Sequence, residues 1–340
     1  MAMMLPGSTV ADLGPRKKPK VNLFAIGAAL LGLSIVLAIF VSLGISLREF
    51  RDVLAKVPFW LYIVLALTNG GTILAGSVKW QLALRGLSSS VLKVPLLPAV
   101  LATSVGVLFG QVMPMQIATT AARAVAGKRH DLPASSSIGS TAYEQLIELL
   151  VLIGMALVAI PCLLFEAHWT VLLGSTPLLV AMPVVILRFT ARWLDGTLTA
   201  IARIAPGSLE RSIQVVHSAV RTCRTVDIGI VFQLAVLSVL RHAIMIAGAV
   251  LTLLTLAPTL DVSDAVIAFP IVQLVSVLPI TPAGLGTAEM TWTGLLTTAG
   301  LAAKEAAVVA VAVRLINLLG FLLFFALLLI SVSAARSRRV

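Results

Sequence analysis

Charge is what this chain has least of: 11% of its 340 residues are Asp, Glu, Lys or Arg, against about a quarter in a soluble protein. With 59% apolar residues and a mean hydropathy of +1.07, no aqueous fold hides this much apolar surface. A bilayer is therefore its solvent. Cysteine is nearly absent too. Cys162 and Cys223 stand alone, and the topology below puts them on opposite faces of the membrane, which excludes a disulfide or a zinc site. No HExxH, Cys-His or DxD-like pattern occurs, so no metal and no cofactor is expected, and no enzyme activity. The net charge of +11 suggests nucleic acid at first sight. Aromatics are too few among the arginines for that reading, and the charges lie elsewhere.

What remains is organised by apolar length. About 20 residues at 1.5 Å rise cross a ~30 Å hydrocarbon core. Windows of that kind fall at Leu23–Leu47, Val57–Val78, Ile138–Ala159, Val171–Leu187, Ile228–Leu256 and Ala306–Val332. The first is too long for a signal-peptide core, and no small-residue cleavage pattern follows it, so it stays as an anchor. Two further stretches, 96–126 and 265–303, are apolar but broken by Pro, Gly and Thr.

Basic residues mark one face. Arg16, Lys17, Lys18 and Lys20 precede the first window, Arg336, Arg338 and Arg339 follow the last, and the segment 188–225 holds six arginines. The connections around Glu166 and around Asp261 and Asp264 carry no Lys or Arg. By the positive-inside rule the tails 1–22 and 334–340 and the segment 188–225 are cytoplasmic. That segment reads either as an amphipathic helix on headgroups or as a solvated linker. Parity then decides the broken stretches. Lys79, Arg85 and Lys93 fall inside, and so must Arg123, Lys128 and Arg129, which requires 96–126 to enter and leave on the cytoplasmic side. By the same count 265–303 enters and leaves from outside. Arg48, Arg51 and Lys56 fit this scheme least, although Glu49 and Asp52 soften them.

The expected fold is thus an all-α integral membrane protein of about six spanning helices plus two oppositely oriented re-entrant hairpins, within residues 23–333. Broken helices at membrane depth survive only when buried in protein or lining a polar cavity. Hairpins inserted from opposite faces mark an inverted-repeat transporter with its site near the midplane. The repeat is visible in the residues: superposing Pro114 on Pro279 brings Arg123 near Glu289, and Glu144 then corresponds to Arg314. Each half offers one hairpin charge and one helix charge, with the signs exchanged.

A charge at the bilayer centre costs roughly 2.5–3.5 kcal/mol, so Glu289 and Arg314 are expected to offset one another, as a functional pair or as a brace. Glu144 and Glu148 share a helix face one turn apart. Glu148 reads as a membrane-boundary residue, and Arg241, beside His242, as a headgroup contact or a structural partner for a glutamate. Pro279 and Pro282 stop a helix, while Gly284 and Gly286 permit positive φ and close approach. The Lys-Ser/Thr of a phosphate loop is missing. A helix beginning after Gly286 would present its N–H groups to an anion, or the segment is a plain turn.

The break Leu278-Pro-Ile-Thr-Pro-Ala-Gly-Leu-Gly286 followed by Glu289, with Gly110-Gln-Val-Met-Pro114, Arg123 and Glu144 before it, resembles the flippase-like transmembrane family, the lysylphosphatidylglycerol synthase transmembrane region. The resemblance spans about residues 20–333. The family usually carries Gly-Gly-Asp where this chain has Ala118, Thr119 and Thr120, and often Arg where it has Gln145 and Ala288. The resemblance implies a protein that moves or holds lipids, anionic or zwitterionic phospholipids or isoprenoid- or hopanoid-linked ones, in a bacterial inner membrane. The site implied has Pro114, Arg123 and Glu144 on one side and Pro279, Gly284, Gly286, Glu289 and Arg314 on the other, with Arg241 between. The partners implied are a membrane lipid, and a second copy or a lipid-biosynthesis enzyme. With the sequence ending at Val340, aminoacyl transfer is not expected of it. The alternatives are a membrane enzyme or accessory subunit acting on lipid-linked sugars, and an ion- or proton-coupled carrier of a soluble solute.

Overall fold

The computed structural model describes Val41 and residues 46–87, 94–111, 113–189, 226–278, 281 and 284–337. The described residues form helices and no strand. They are α1 (Leu47–Ala55), α2 (Phe59–Leu87), α3 (Leu96–Phe109), α4 (Met115–Lys128), α5 (Ala134–Leu164), α6 (Thr170–Gly174), α7 (Thr176–Phe189), α8 (Ile228–Leu256), α9 (Val262–Val277), α10 (Thr287–Thr298) and α11 (Ala303–Ser337). Four of them, α2, α5, α8 and α11, are long and apolar enough to cross a membrane. The protein is an all-α, multi-pass membrane protein.

Two expected spans need comment. The window Leu23–Leu47 lies almost wholly outside the described residues. The window Val171–Leu187 is not one helix: α6 ends at Gly174 and α7 starts at Thr176. At ~1.5 Å per residue α7 reaches about 21 Å as far as it is described, short of a ~30 Å core.

Proline and glycine set the joints. Pro95, Pro114 and Pro133 stand immediately before α3, α4 and α5, where a residue without a helical N–H forfeits nothing. Asp227 and Asp261 cap α8 and α9 by accepting the N–H groups of Gly229 and Ser263, at 3.1 and 2.6 Å, which satisfies donors the helix leaves open. In the second break Gly284 and Gly286 take φ of +68° and +85°, a region that side chains avoid.

The order long, short, short, long occurs twice, as α2–α5 and as α8–α11. The two long leading helices run antiparallel: Gly248 lies against Leu65 and Thr68, Gly71 against Ile244, and Gly86 against Ile230 and Val226. Consequently the end of α2 and the end of α8 sit at opposite ends of the bundle. Each short pair folds back to the end it came from. Val94 and Ala99, where α3 begins, cluster with Leu132, just past α4, and with Trp80 and Leu84 near the end of α2. Leu260 and Ala265, at the start of α9, share a cluster with Leu256, with Leu301 beyond α10 and with Ala306 of α11. Two helical hairpins therefore enter the bundle from opposite ends. In the first, a Cβ on Gly106 would stand 2.6 Å from Thr119 Cα, so α3 and α4 meet almost backbone to backbone. Arg85, Lys128 and Arg129 lie at one end; Glu166, Asp261 and Asp264 lie at the other, together with Lys56 and Lys304.

Candidate functional site

Both hairpins line one cavity of about 540 Å³, within the ~300–1,000 Å³ of small-molecule sites. Thr103, Pro114 and Arg123 come from the first hairpin, and Ser276, Thr281 and Glu289 from the second. Helices α2, α5, α8 and α11 complete the wall. Leu146 and Leu278 line it while remaining 40% and 47% exposed, so its rim is apolar and open to the protein's surroundings.

Five charges from four helices form a chain along one wall. Arg123 (α4) donates to Glu144 (α5). Lys79 (α2) lies 3.5 Å from Glu144 and 2.6 Å from Glu148, and Arg241 (α8) pairs with Glu148. Such charges at depth are tolerable because they are paired. Arg123 is committed to the protein at each of its three nitrogens. Besides Glu144, it donates to the Gly76 carbonyl at 2.9 Å and the Thr103 hydroxyl at 3.4 Å, and its guanidinium sits 5.3 Å from the Trp80 ring centroid. The indole N–H of Trp80 donates in turn to Ser140 at 3.1 Å. Arg123 is thus a brace that holds the first hairpin to α2 and α5.

On the opposite repeat Arg314 (α11) donates to Glu289 (α10) at 2.7 Å. The other Glu289 oxygen accepts the Gly286 N–H at 2.6 Å. The anion expected at this helix start is therefore the protein's own carboxylate, reaching back from the third helical position. Glu289 is buried at 2% exposure, while Arg314 keeps 26%. Near it Asn69 donates to Asn317 at 3.0 Å, tying α2 to α11 beside the cavity.

The structure gathers Pro114, Arg123, Glu144, Arg241, Glu289 and Arg314 around one space. Gly284 and Gly286 shape the second break without lining the cavity, where the wall is Leu278, Thr281 and Ala288. Pro279 and Pro282 lie outside the described residues. Glu148 is no boundary residue: it stands in the middle of the charge chain. Lys79, expected on the cytoplasmic side, is fully buried between the two glutamates. His242 and Thr281 line the cavity with 2% exposure each, and their side-chain nitrogens and hydroxyl have no hydrogen-bond partner among the described residues.

A family model described as lysylphosphatidylglycerol synthase TM region matches residues 25–325. No curated protein and no solved structure matches the chain.

Proposed function

Because the chain belongs to the lysylphosphatidylglycerol synthase TM region family, we propose that it is a translocator that passes a lipid headgroup across a bacterial inner membrane, and not an enzyme. The observation that carries this reading is the single cavity shared by the two hairpins, with buried charges in its walls and exposed leucines at its rim. A headgroup crossing a bilayer needs polar partners at depth while its tails stay in hydrocarbon. The charge chain and the Glu289–Arg314 pair supply the first, and Leu146 and Leu278 border an exit for the second. Inverted repeats with hairpins from opposite ends suit access from either face in turn. The basic end is the cytoplasmic one, with both termini there. The substrate is a phospholipid or an isoprenoid- or hopanoid-linked lipid, and a second copy or a lipid-biosynthesis enzyme is the protein partner.

The test is movement of a headgroup-labelled phospholipid in proteoliposomes, followed by loss of fluorescence to a membrane-impermeant quencher. Purified protein should raise the rate well above that of protein-free vesicles. Equal rates, from protein shown to be folded, would remove the translocator assignment.

A further inference from the structure

The charges that line the cavity are already matched among the described residues. Arg123 faces Glu144, Arg241 faces Glu148 and Arg314 faces Glu289, three cations to three carboxylates. Lys79 lies behind this wall, unexposed, against Glu144 and Glu148, and does not line the space. An anion entering here has to draw an arginine away from its carboxylate and strand that carboxylate at depth, which is costly. The polar groups left open are uncharged. Gln116, in the first turn of α4, and Gln273, in α9, line the cavity half-buried, and neither side-chain amide has a partner among the described residues. One comes from each hairpin, and each amide carries two N–H donors and an acceptor oxygen. Three residues before the prolines of the two breaks, Pro114 and Pro279, stand Gln111 and Ser276. Both line the cavity, and each donates to the carbonyl four residues back, of Val107 at 3.3 Å and of Val272 at 2.7 Å. Their own oxygens remain as acceptors. The two repeats thus present the same neutral polar chemistry to one space.

We propose that the headgroup this cavity prefers is uncharged and rich in hydroxyls, a sugar or another polyol without phosphate. A hydroxyl both donates and accepts, so neighbouring hydroxyls on one ring serve the N–H and C=O groups of Gln116 and Gln273 together. No ion pair has to open. Burying a neutral polyol against amides also costs far less than burying an unmatched anion. A phospholipid shares the tails and still enters, but its phosphate competes with a carboxylate for an arginine. The inference rests on the lipid reading and narrows it: the tails come from that reading, the headgroup chemistry from the amides.

The experiment uses the full chain purified in octaethylene glycol dodecyl ether, a detergent with neither sugar nor phosphate. Four probes are compared: glucosyl dioctanoylglycerol, dioctanoyl phosphatidylglycerol, dioctanoylglycerol and free glucose. The glucosyl lipid should bind at least about tenfold more tightly than phosphatidylglycerol. Gln116→Leu and Gln273→Leu keep the bulk and remove the amide. Each should weaken the glucosyl lipid about three- to tenfold, as expected for neutral hydrogen bonds, and leave dioctanoylglycerol unchanged. Both variants should melt, without ligand, no lower than the parent, since neither amide has a partner within the described protein. A merely structural glutamine would instead lower the melting point and the affinity for every lipid alike. Phosphatidylglycerol bound as tightly as the glucosyl lipid, which needs no variant to measure, overturns the proposal and leaves the lipid reading standing. A glucosyl preference indifferent to both substitutions overturns it too. Glucose bound as tightly as the glucosyl lipid, and weakened by both substitutions, keeps the polyol site and overturns the lipid reading.

Discussion

Replacing Glu289 by Gln asks whether the second hairpin is held by charge. The carboxylate accepts twice, from Arg314 Nη1 at 2.7 Å and from the Gly286 N–H at 2.6 Å. A glutamine of the same shape has one acceptor oxygen, and its amide N–H₂ would meet whichever donor the oxygen does not serve. At least one charge-assisted hydrogen bond is lost, about 1.5–3 kcal/mol. The Arg314 charge also loses its counter-ion, and breaking a buried pair costs about 3–5 kcal/mol in all. Arg314 is 26% exposed and keeps part of its hydration, so the lower end, about 3 kcal/mol, is the figure to expect. Arg314→Gln should cost more, because the carboxylate it strands is 2% exposed. The double variant should be milder than the sum of the two, by the coupling energy of the pair. Thermal unfolding of purified protein reads the stability, and labelled-lipid movement in proteoliposomes reads the function. If the bond between hairpin and α11 is needed for each crossing, both single variants should abolish movement. Glu289→Gln with full stability and full lipid movement would refute the reasoning and place the site elsewhere.

Three further outcomes follow from the same geometry. In a cysteine-free background, a single cysteine at Lys128 should be shielded from an impermeant thiol reagent added outside, and one at Asp261 should react. Labelling at Lys128 from outside would sink the two-hairpin topology. Gly106→Val should destabilise by about 1–3 kcal/mol, since its Cβ would stand 2.6 Å from Thr119 Cα, whereas Gly139→Ala meets nothing within 4 Å and should be neutral or stabilising in a melting experiment. Lys79→Met leaves each glutamate one arginine, so it should cost less than a lone pair would, about 1–3 kcal/mol.

The helical fold was legible because it rests on composition and on breakers. Long apolar runs have no other stable form in a bilayer, and the Gly110–Pro114 and Leu278–Gly286 stretches interrupt them. The ends of helices were less legible, and the errors share a cause. A hydropathy window stops at a charge or a polar run, but a helix buried in protein does not. The window Val57–Val78 ended at Lys79, yet α2 runs on to Leu87 and carries Lys79 inside it. The window Ile138–Ala159 began after Ser135, Ser136 and Ser137, yet α5 starts at Ala134. Glu148 lies about 21 Å along this helix, at ~1.5 Å per residue, and it is central in the shorter window as well.

The site divides along a similar line. Exchanged charges at equivalent places in two repeats pointed to Arg123 with Glu144 and Glu289 with Arg314, because a repeat constrains residues far apart in sequence. Nothing comparable points to Lys79. Its contacts depend on how α2 is rotated against α5 and α8, and α2 is apolar on all sides, so no amphipathic stripe fixes that rotation in advance. The same holds for how many partners each buried arginine finds. Arg123 and Arg241 are both single arginines in apolar helices. One meets a carbonyl, a hydroxyl and a carboxylate and is filled. The other meets one carboxylate, and its buried Nε has no partner among the described residues. That difference is set by neighbours from other helices, which the sequence of one helix does not reveal.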